Sequence, residues 1–166
     1  MSGEKTQTKN LASPEMTAAL AAELAGRLTA GDVILLSGPI GAGKTHFARH
    51  LIQARLLMDN APVEDVPSPT FTLVQTYDTG SAEIWHADLY RLTHPDEIEE
   101  LGLIDAFESS ICLVEWPDRL GDLRPEGALS LDFSTNPDDT NPDLRRLNAS
   151  WSDPRWTEVL EGLLDD

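Results

Sequence analysis

The stretch Gly38-Pro39-Ile40-Gly41-Ala42-Gly43-Lys44-Thr45 decides the fold of this chain. Its glycines let successive backbone N–H groups curl around phosphate oxygens, and a helix beginning here points its positive dipole end at the same anion. The pattern predicts a phosphate-binding loop, in which Lys44 reaches the β and γ phosphates of a nucleotide and Thr45 ligates Mg²⁺. The residues predicted to bind the nucleotide are Gly38, Gly41, Ala42, Gly43, Lys44, Thr45 and His46.

The flanking sequence has the strand–loop–helix order that a phosphate-binding loop requires. Residues 32–37 form an apolar run of strand length that ends at the loop. After the loop, Phe47, Leu51 and Met58 recur at helical spacing. The alternative is a glycine-rich turn between a strand and a helix, and it is the weaker interpretation in this setting.

Length and charge narrow the possible classes of protein. The chain has 166 residues and a net charge of −17. We expect a polar disordered tail at residues 1–10 and a single domain at residues 11–166. So acidic a surface argues against broad contact with nucleic acid or anionic membranes, because such contact depends on Lys and Arg. The chain has neither an apolar leader nor a membrane-length apolar run, so we expect a soluble, cytoplasmic protein.

The remaining periodicity predicts a P-loop NTPase domain of the α/β class with three layers. A central sheet, mixed but mainly parallel, is flanked by helices. One helix starts at Ser13 and Pro14 and ends at Gly31, another starts at Pro95, and a third follows Asp153. Residues 135–143 are interpreted as a mobile loop. The predicted strands are residues 32–37, 70–77, 83–88, 111–115, 128–133 and 144–151.

Two acids at strand ends are candidates to serve the metal and the attacking water. Glu115 follows four apolar residues, and Asp88 ends a second strand. A phosphate-loop hydrolase needs a carboxylate at the end of a buried strand. The alternative for each is a solvent-facing acid just past a strand. Thr70, which follows two prolines, is a third candidate on a segment that could sense the γ-phosphate.

Other polar and aromatic residues are weaker candidates. For His86, a packed or hydrogen-bonded ring is favoured over a general base. Trp116 either covers the nucleotide or packs in the core, and Cys112 is interpreted as a small buried residue. Arg91 and the pair Arg145-Arg146 are positive groups outside the loop, but most arginines are solvated surface charges.

Several sequence blocks together resemble the bacterial TsaE (YjeE) family. They occur in the order and spacing of that family over about residues 11–147, which is far more specific than the loop alone. After the phosphate loop, the blocks are Ser68-Pro69-Thr70-Phe71-Thr72-Leu73-Val74, His86-Ala87-Asp88-Leu89-Tyr90-Arg91-Leu92, Glu100-Leu101-Gly102-Leu103 and Val114-Glu115-Trp116-Pro117.

The resemblance implies a small ATPase that works with the TsaB and TsaD proteins. The complex makes the threonylcarbamoyl modification of adenosine 37 in tRNAs that read codons beginning with A. This chain would contact tRNA only indirectly, through the complex. By resemblance, Lys44 would hold phosphate and Thr45 and Glu115 would hold Mg²⁺. Asp88 would support ATP hydrolysis, Thr70 would lie on a switch-like segment, and Trp116 and Arg146 would lie near the nucleotide.

This chain departs from the family pattern at one position of the loop. Pro39 stands where the family usually has an acid, and proline lacks an N–H group and fixes φ. Two other classes share a phosphate loop. A small-molecule kinase needs an arginine-rich lid, which the sequence lacks. A GTP-dependent switch needs an Asn-Lys-x-Asp motif, which is excluded because no lysine follows Lys44.

Overall fold

The computed structural model describes residues 4–69, 72–94, 96–135 and 141–165. Seven strands form one sheet in the order β1-β7-β6-β2-β5-β4-β3. The strands are β1 (Lys5–Leu11), β2 (Val33–Ser37), β3 (Val74–Asp78), β4 (Glu83–Asp88), β5 (Ile111–Glu115), β6 (Leu129–Thr135) and β7 (Arg145–Trp151). The helices are α1 (Pro14–Ala25), α2 (Lys44–Met58), α3 (Asp96–Glu100), α4 (Leu103–Ser109) and α5 (Pro154–Val159), with a 3₁₀ segment at Pro117–Leu123.

The sheet is mixed, as predicted, and its parallel part lies in the centre. Strands β6, β2, β5 and β4 are parallel neighbours, whereas β1, β7 and β3 pair antiparallel at the two flanks. The central strands β2 and β5 are apolar almost throughout because both of their faces are buried. The carboxyl ends of β2, β4 and β5 therefore meet at one edge of the sheet, where the phosphate loop begins.

Two apolar clusters cover the two faces of this sheet. The larger cluster packs α1, α2 and α5 against one face, with Leu36, Phe47 and Trp156 among its most buried members. The smaller cluster packs α3 and α4 against the other face around Leu35 and Val114. This is the predicted arrangement of a central sheet between helical layers. Within the described ranges, none of the helices has the length and apolarity needed to cross a bilayer.

Three sequence predictions are corrected by the structure. Within the tail predicted to be disordered, residues 5–10 belong to β1, which pairs along its whole length with β7. Helix α1 starts at the predicted Ser13 cap but ends at Ala25, before the predicted stop at Gly31. Strand β3 starts at Val74, four residues later than predicted. Residues 1–3 and most of the predicted mobile loop, residues 136–140, lie outside the described ranges.

The close approach of the phosphate loop to β6 requires glycine at its first position. Gly38 has a φ of 132°, which lies in the region that side chains disfavour. A Cβ atom added at Gly38 would collide with the carbonyl oxygen of Phe133. The first glycine of the loop therefore lets the chain leave β2 beside β6 and turn into α2.

Candidate functional site

Lys44 lies at the start of α2 and is held by its own loop. Its Nζ donates to the carbonyl oxygen of Gly38 and lies 3.5 Å from that of Pro39. The same nitrogen is 3.7 Å from the ring centroid of Trp116, a cation–π distance. The ammonium group thus occupies the inside of the loop, where the phosphates of a nucleotide would lie.

The charge environment of Lys44 combines burial with nearby acids. Burial lowers the pKa of Lys44, because it disfavours the charged ammonium form, and the charges of Glu115 and Asp88 oppose this effect most strongly. Asp118 and Asp132 oppose it more weakly. A bound phosphate would add negative charge at the same place and would stabilise the ammonium form further.

The two predicted acids lie side by side at the ends of parallel strands. Asp88 and Glu115 are register partners at the last positions of β4 and β5, and both are buried. Thr45 Oγ1 donates to Glu115 Oε1 over 2.8 Å. Asp88 Oδ1 accepts from the backbone N–H of Tyr90 over 3.0 Å. The sequence placed each acid at a strand end, and the structure brings both to the same edge beside the loop.

The oxygens of Thr45 and Glu115 fit a magnesium ion bound together with a nucleotide. Mg²⁺ prefers oxygen ligands and is held by one or two protein groups together with phosphate oxygens and water. A hydroxyl and a carboxylate oxygen 2.8 Å apart, both facing the cleft, supply that kind of ligand set. In the described part of the chain, no group of three or more His, Cys, Asp or Glu could hold a metal on its own.

These residues line a cleft of about 410 Å³. Trp116 forms one wall, and it has a φ of 58°, a left-handed conformation that turns the chain sharply after β5. Tyr90 packs against it with ring centroids 4.8 Å apart. Three of the lining residues, Ile40, Ser68 and Tyr90, were not predicted from the sequence, although Tyr90 follows Asp88 by two positions. The lining consists of Ile40, Gly41, Gly43, Lys44, Thr45, His46, Ser68, Asp88, Tyr90, Glu115 and Trp116.

His46 and the two arginines at the start of β7 differ in their relation to the cleft. His46 lines it, and its Nε2 donates to the carbonyl oxygen of Pro14 over 3.0 Å. Arg145 Nη2 donates to the carbonyl oxygen of Gly41 over 3.4 Å. Arg146 is exposed and pairs in register with Asn10 and Ser134, on the opposite face of the sheet. The structure therefore brings Arg145 to the loop and does not bring Arg146 there.

Two further predicted residues have different outcomes. Thr70 lies outside the described residues, so its predicted role stays a prediction. His86 is fully buried, and its Nε2 lies 2.7 Å from Glu115 Oε2. The favoured interpretation of a hydrogen-bonded histidine is confirmed, but its partner could not be read from the sequence. That partner follows from the strand register in the structure: His86 shares a strand face with Asp88, and Asp88 lies opposite Glu115 where β4 pairs with β5.

Comparisons with known proteins agree on one family. The family model described as threonylcarbamoyl adenosine biosynthesis protein TsaE matches residues 11–146. The tRNA threonylcarbamoyladenosine biosynthesis protein TsaE of Rickettsia bellii is 38% identical over 129 residues, covering 78% of this chain and 87% of that protein. The protein of the same name from Rickettsia felis is 44% identical over 104 residues, or 63% of this chain. That match spans only 58% of the R. felis protein.

A more distant relative and a solved structure extend the match. The TsaE of Bacillus subtilis is 35% identical over 127 residues, covering 76% of each chain. A crystal structure of B. subtilis YdiB superposes with a TM-score of 0.74 at 26% identity, covering 97% of this chain and 95% of that one. The sequence resemblance and the fold class are thereby confirmed.

Proposed function

The chain belongs to the TsaE family of threonylcarbamoyl adenosine biosynthesis proteins, and we propose that it is a Mg²⁺-dependent ATPase that acts together with TsaB and TsaD. On this proposal, the complex carries out the threonylcarbamoyl modification of adenosine 37 in tRNAs reading ANN codons. The isolated chain hydrolyses ATP slowly, and the partner proteins raise that rate.

One observation carries the ATPase proposal. The first hydroxyl after the loop lysine, on Thr45, lies 2.8 Å from Glu115 Oε1 at the end of a buried strand. A phosphate-loop NTPase needs this pairing of a loop hydroxyl with a strand-end carboxylate to hold its metal. The sequence separation between these two residues is 70 positions, so the fold alone brings them together.

Each residue of the cleft has a distinct task in the proposed hydrolysis. Lys44 exchanges the loop carbonyls for the β and γ phosphates, and the loop N–H groups bind the same oxygens. Thr45 and Glu115 would hold Mg²⁺, which would supply positive charge beside the phosphates. Asp88, fixed by the N–H of Tyr90, orients the attacking water and takes its proton. Trp116 excludes bulk water from one side.

The proposal of activation by partners rests on what lines the cleft. Of the described residues that line it, none is an arginine, and Lys44 is the one lysine. Phosphoryl transfer is accelerated mainly by charge and positioning around the γ-phosphate. A second cation supplied by a partner protein would complete the site. The net charge of −17 supports contact with tRNA through the partners rather than through this chain.

Phosphate release under three conditions tests the proposal. We expect marginal activity for the chain alone, no change on adding tRNA, and a rise of about 10-fold or more with TsaB and TsaD, as partner-supplied charge predicts. Glu115→Ala should remove the stimulated rate. Full activity in isolation, or stimulation by tRNA without the partners, would contradict the proposal. Phosphoryl transfer to a metabolite instead of water would favour a small-molecule kinase.

A further inference from the structure

Glu115 has both of its carboxylate oxygens engaged by side chains from other elements. Oε1 accepts from Thr45 Oγ1 over 2.8 Å, and Oε2 lies 2.7 Å from His86 Nε2. His86 is 0% exposed and Glu115 is 1% exposed. The three side chains therefore form a chain of hydrogen bonds that runs from the sheet interior to the first turn of α2.

The surroundings of the two ring nitrogens of His86 show which of them carries the hydrogen. A carboxylate oxygen can only accept, so Nε2 must carry the hydrogen and donate it to Oε2. His86 Nδ1 is buried and has no hydrogen-bond partner among the described residues. A hydrogen on Nδ1 would be a buried donor without an acceptor, which is unfavourable. The structure thus favours the Nε2–H tautomer.

We propose that His86 is a positioning residue for the magnesium site. By holding Oε2 on the interior side, His86 presents Oε1 to Thr45 and to the cleft. A glutamate side chain has several rotatable bonds, so fixing it before the metal arrives reduces the entropy lost on binding. This inference rests on the proposed Mg²⁺-dependent nucleotide binding, and it assigns to His86 a role that is separate from proton transfer in hydrolysis.

Glu115 needs such support more than its neighbour Asp88 does. Asp88 is the register partner of Glu115, but it is held by the backbone N–H of Tyr90. That donor is fixed by the chain itself, and the shorter aspartate has fewer rotamers. Glu115 instead depends on side chains for both oxygens. Changing His86 alone should therefore release the Glu115 side chain from its fixed orientation, while the carboxylate oxygens proposed as metal ligands stay the same.

Two variants of similar chemistry separate positioning from packing. In His86→Gln, the amide nitrogen can occupy the place of Nε2 and donate to Glu115. In His86→Asn, the amide is too short and reaches only the place of Nδ1. Calorimetry should compare ADP binding to the parent and to both variants, in Mg²⁺ and in EDTA. We expect His86→Asn to weaken binding in Mg²⁺ by about 10-fold or more, with binding in EDTA unchanged and His86→Gln close to the parent.

A second measurement tests the geometry on the unmodified, nucleotide-free chain. The ¹⁵N shifts of the His86 ring should identify the hydrogen on Nε2. A hydrogen on Nδ1 instead would overturn the inference, even if a variant failed to fold. Equal losses in Mg²⁺ and in EDTA, or binding by His86→Asn that matches the parent in Mg²⁺, would also overturn it. If the parent protein bound ADP equally well in Mg²⁺ and in EDTA, that result would instead count against the proposed function itself.

Discussion

The two ends of α2 use similar polar groups for opposite purposes. At its N-terminus the helix is preceded by Gly43 as N-cap, which has a φ of 109° and no side chain to accept from the backbone N–H groups. At its last turn, Arg55 donates to Asp59 over 2.9 Å and to the carbonyl oxygens of Ala25 and Leu28 over 2.8 Å and 2.7 Å. The first end leaves backbone donors available to a ligand, whereas the second end is closed by the protein's own groups.

The closed end is organised around one carboxylate oxygen. Asp59 Oδ2 accepts from Arg55, from Thr79 Oγ1 over 2.6 Å and from Ser81 Oγ over 2.5 Å. This group connects α2 with the β3–β4 hairpin and, through Arg55, with the end of α1. Hydrogen bonds from Ser81 and Thr79, together with the hydrogen bond and charge of Arg55, lower the pKa of Asp59 to about 2, although burial opposes the shift. Asp59 is therefore a structural acid.

The comparison of the two ends of α2 shows that burial alone does not distinguish a structural acid from an acid that serves a ligand. Glu115 and Asp59 both accept short hydrogen bonds from hydroxyl groups. What separates them is the presence of a cleft and of uncapped backbone donors beside Glu115. If this distinction is correct, changes at the open end of α2 should affect ligand binding, and changes at the closed end should affect stability.

Lys44→Ala should have the largest effect on the open end. We expect nucleotide affinity to fall by about 100-fold or more, because hydrogen bonds from a charged group to phosphates are worth roughly 1.5–3 kcal/mol each. Stability should change little, since burial already disfavours the ammonium group. Calorimetry with ATP measures the first effect and thermal unfolding the second. Arg55→Ala is the control, and it should lower stability while leaving affinity unchanged.

Asp88→Asn should lower the rate without lowering affinity. The substitution keeps the shape of the side chain and its contact with the Tyr90 N–H, but it removes the base. We expect the partner-stimulated rate of ATP hydrolysis to fall by about 100-fold, within the usual range for loss of a general base. Nucleotide affinity should stay close to that of the parent. Equal losses of rate and affinity would assign Asp88 to ground-state binding instead.

Asp59→Asn should weaken the hydrogen bonds at the closed end of α2 and lower the stability of the protein by an amount that depends on pH. We expect the free energy of unfolding at neutral pH to fall by about 1–2 kcal/mol, since the carboxylate loses its favourable partners. The folded pKa of about 2 lies below the ordinary value of 3.8. The stabilisation is therefore complete above the ordinary value and is lost as the pH falls through the folded value.

Urea unfolding of the parent and Asp59→Asn at several pH values measures this prediction. The difference between the two proteins should be constant around neutral pH and should shrink in acid below the ordinary pKa of aspartate. Nucleotide affinity should be the same for both. A difference that persists undiminished in strong acid would mean that the substitution disturbs packing rather than charge.

The sequence was sufficient wherever local pattern determines structure. The loop residues, β4 and the strand ending at Glu115 lie where their patterns predict. Strand β1 was missed because its residues are mostly polar and exposed, and only pairing with β7 makes them a strand. The bond between His86 and Glu115 was missed because it depends on the register of two strands, which no local pattern contains.

The same limit explains the outcome at Arg145 and Arg146. Both residues were named as candidates, and the resemblance placed Arg146 near the nucleotide. Adjacent residues of a strand point to opposite faces, so an error of one residue moves a side chain across the sheet. Geometry assigns the contact with the loop to Arg145.

Substituting each of these arginines separately tests the open end of α2 most specifically, and the expected effect is the smallest of those predicted here. Arg145 also donates to the carbonyl oxygens of Pro142 and Leu144 over 2.8 Å and 3.1 Å, so it is held in place while it reaches Gly41. Its contact with the loop is a single long hydrogen bond.

We expect Arg145→Ala to weaken ATP binding by about 2–5-fold, corresponding to roughly 0.5–1 kcal/mol. Arg146→Ala, with the same change of charge, should leave ATP affinity unchanged in the same titration. The reverse ranking would show that nucleotide binding rearranges the start of β7, and equal effects would mean that the protein's overall charge is what matters.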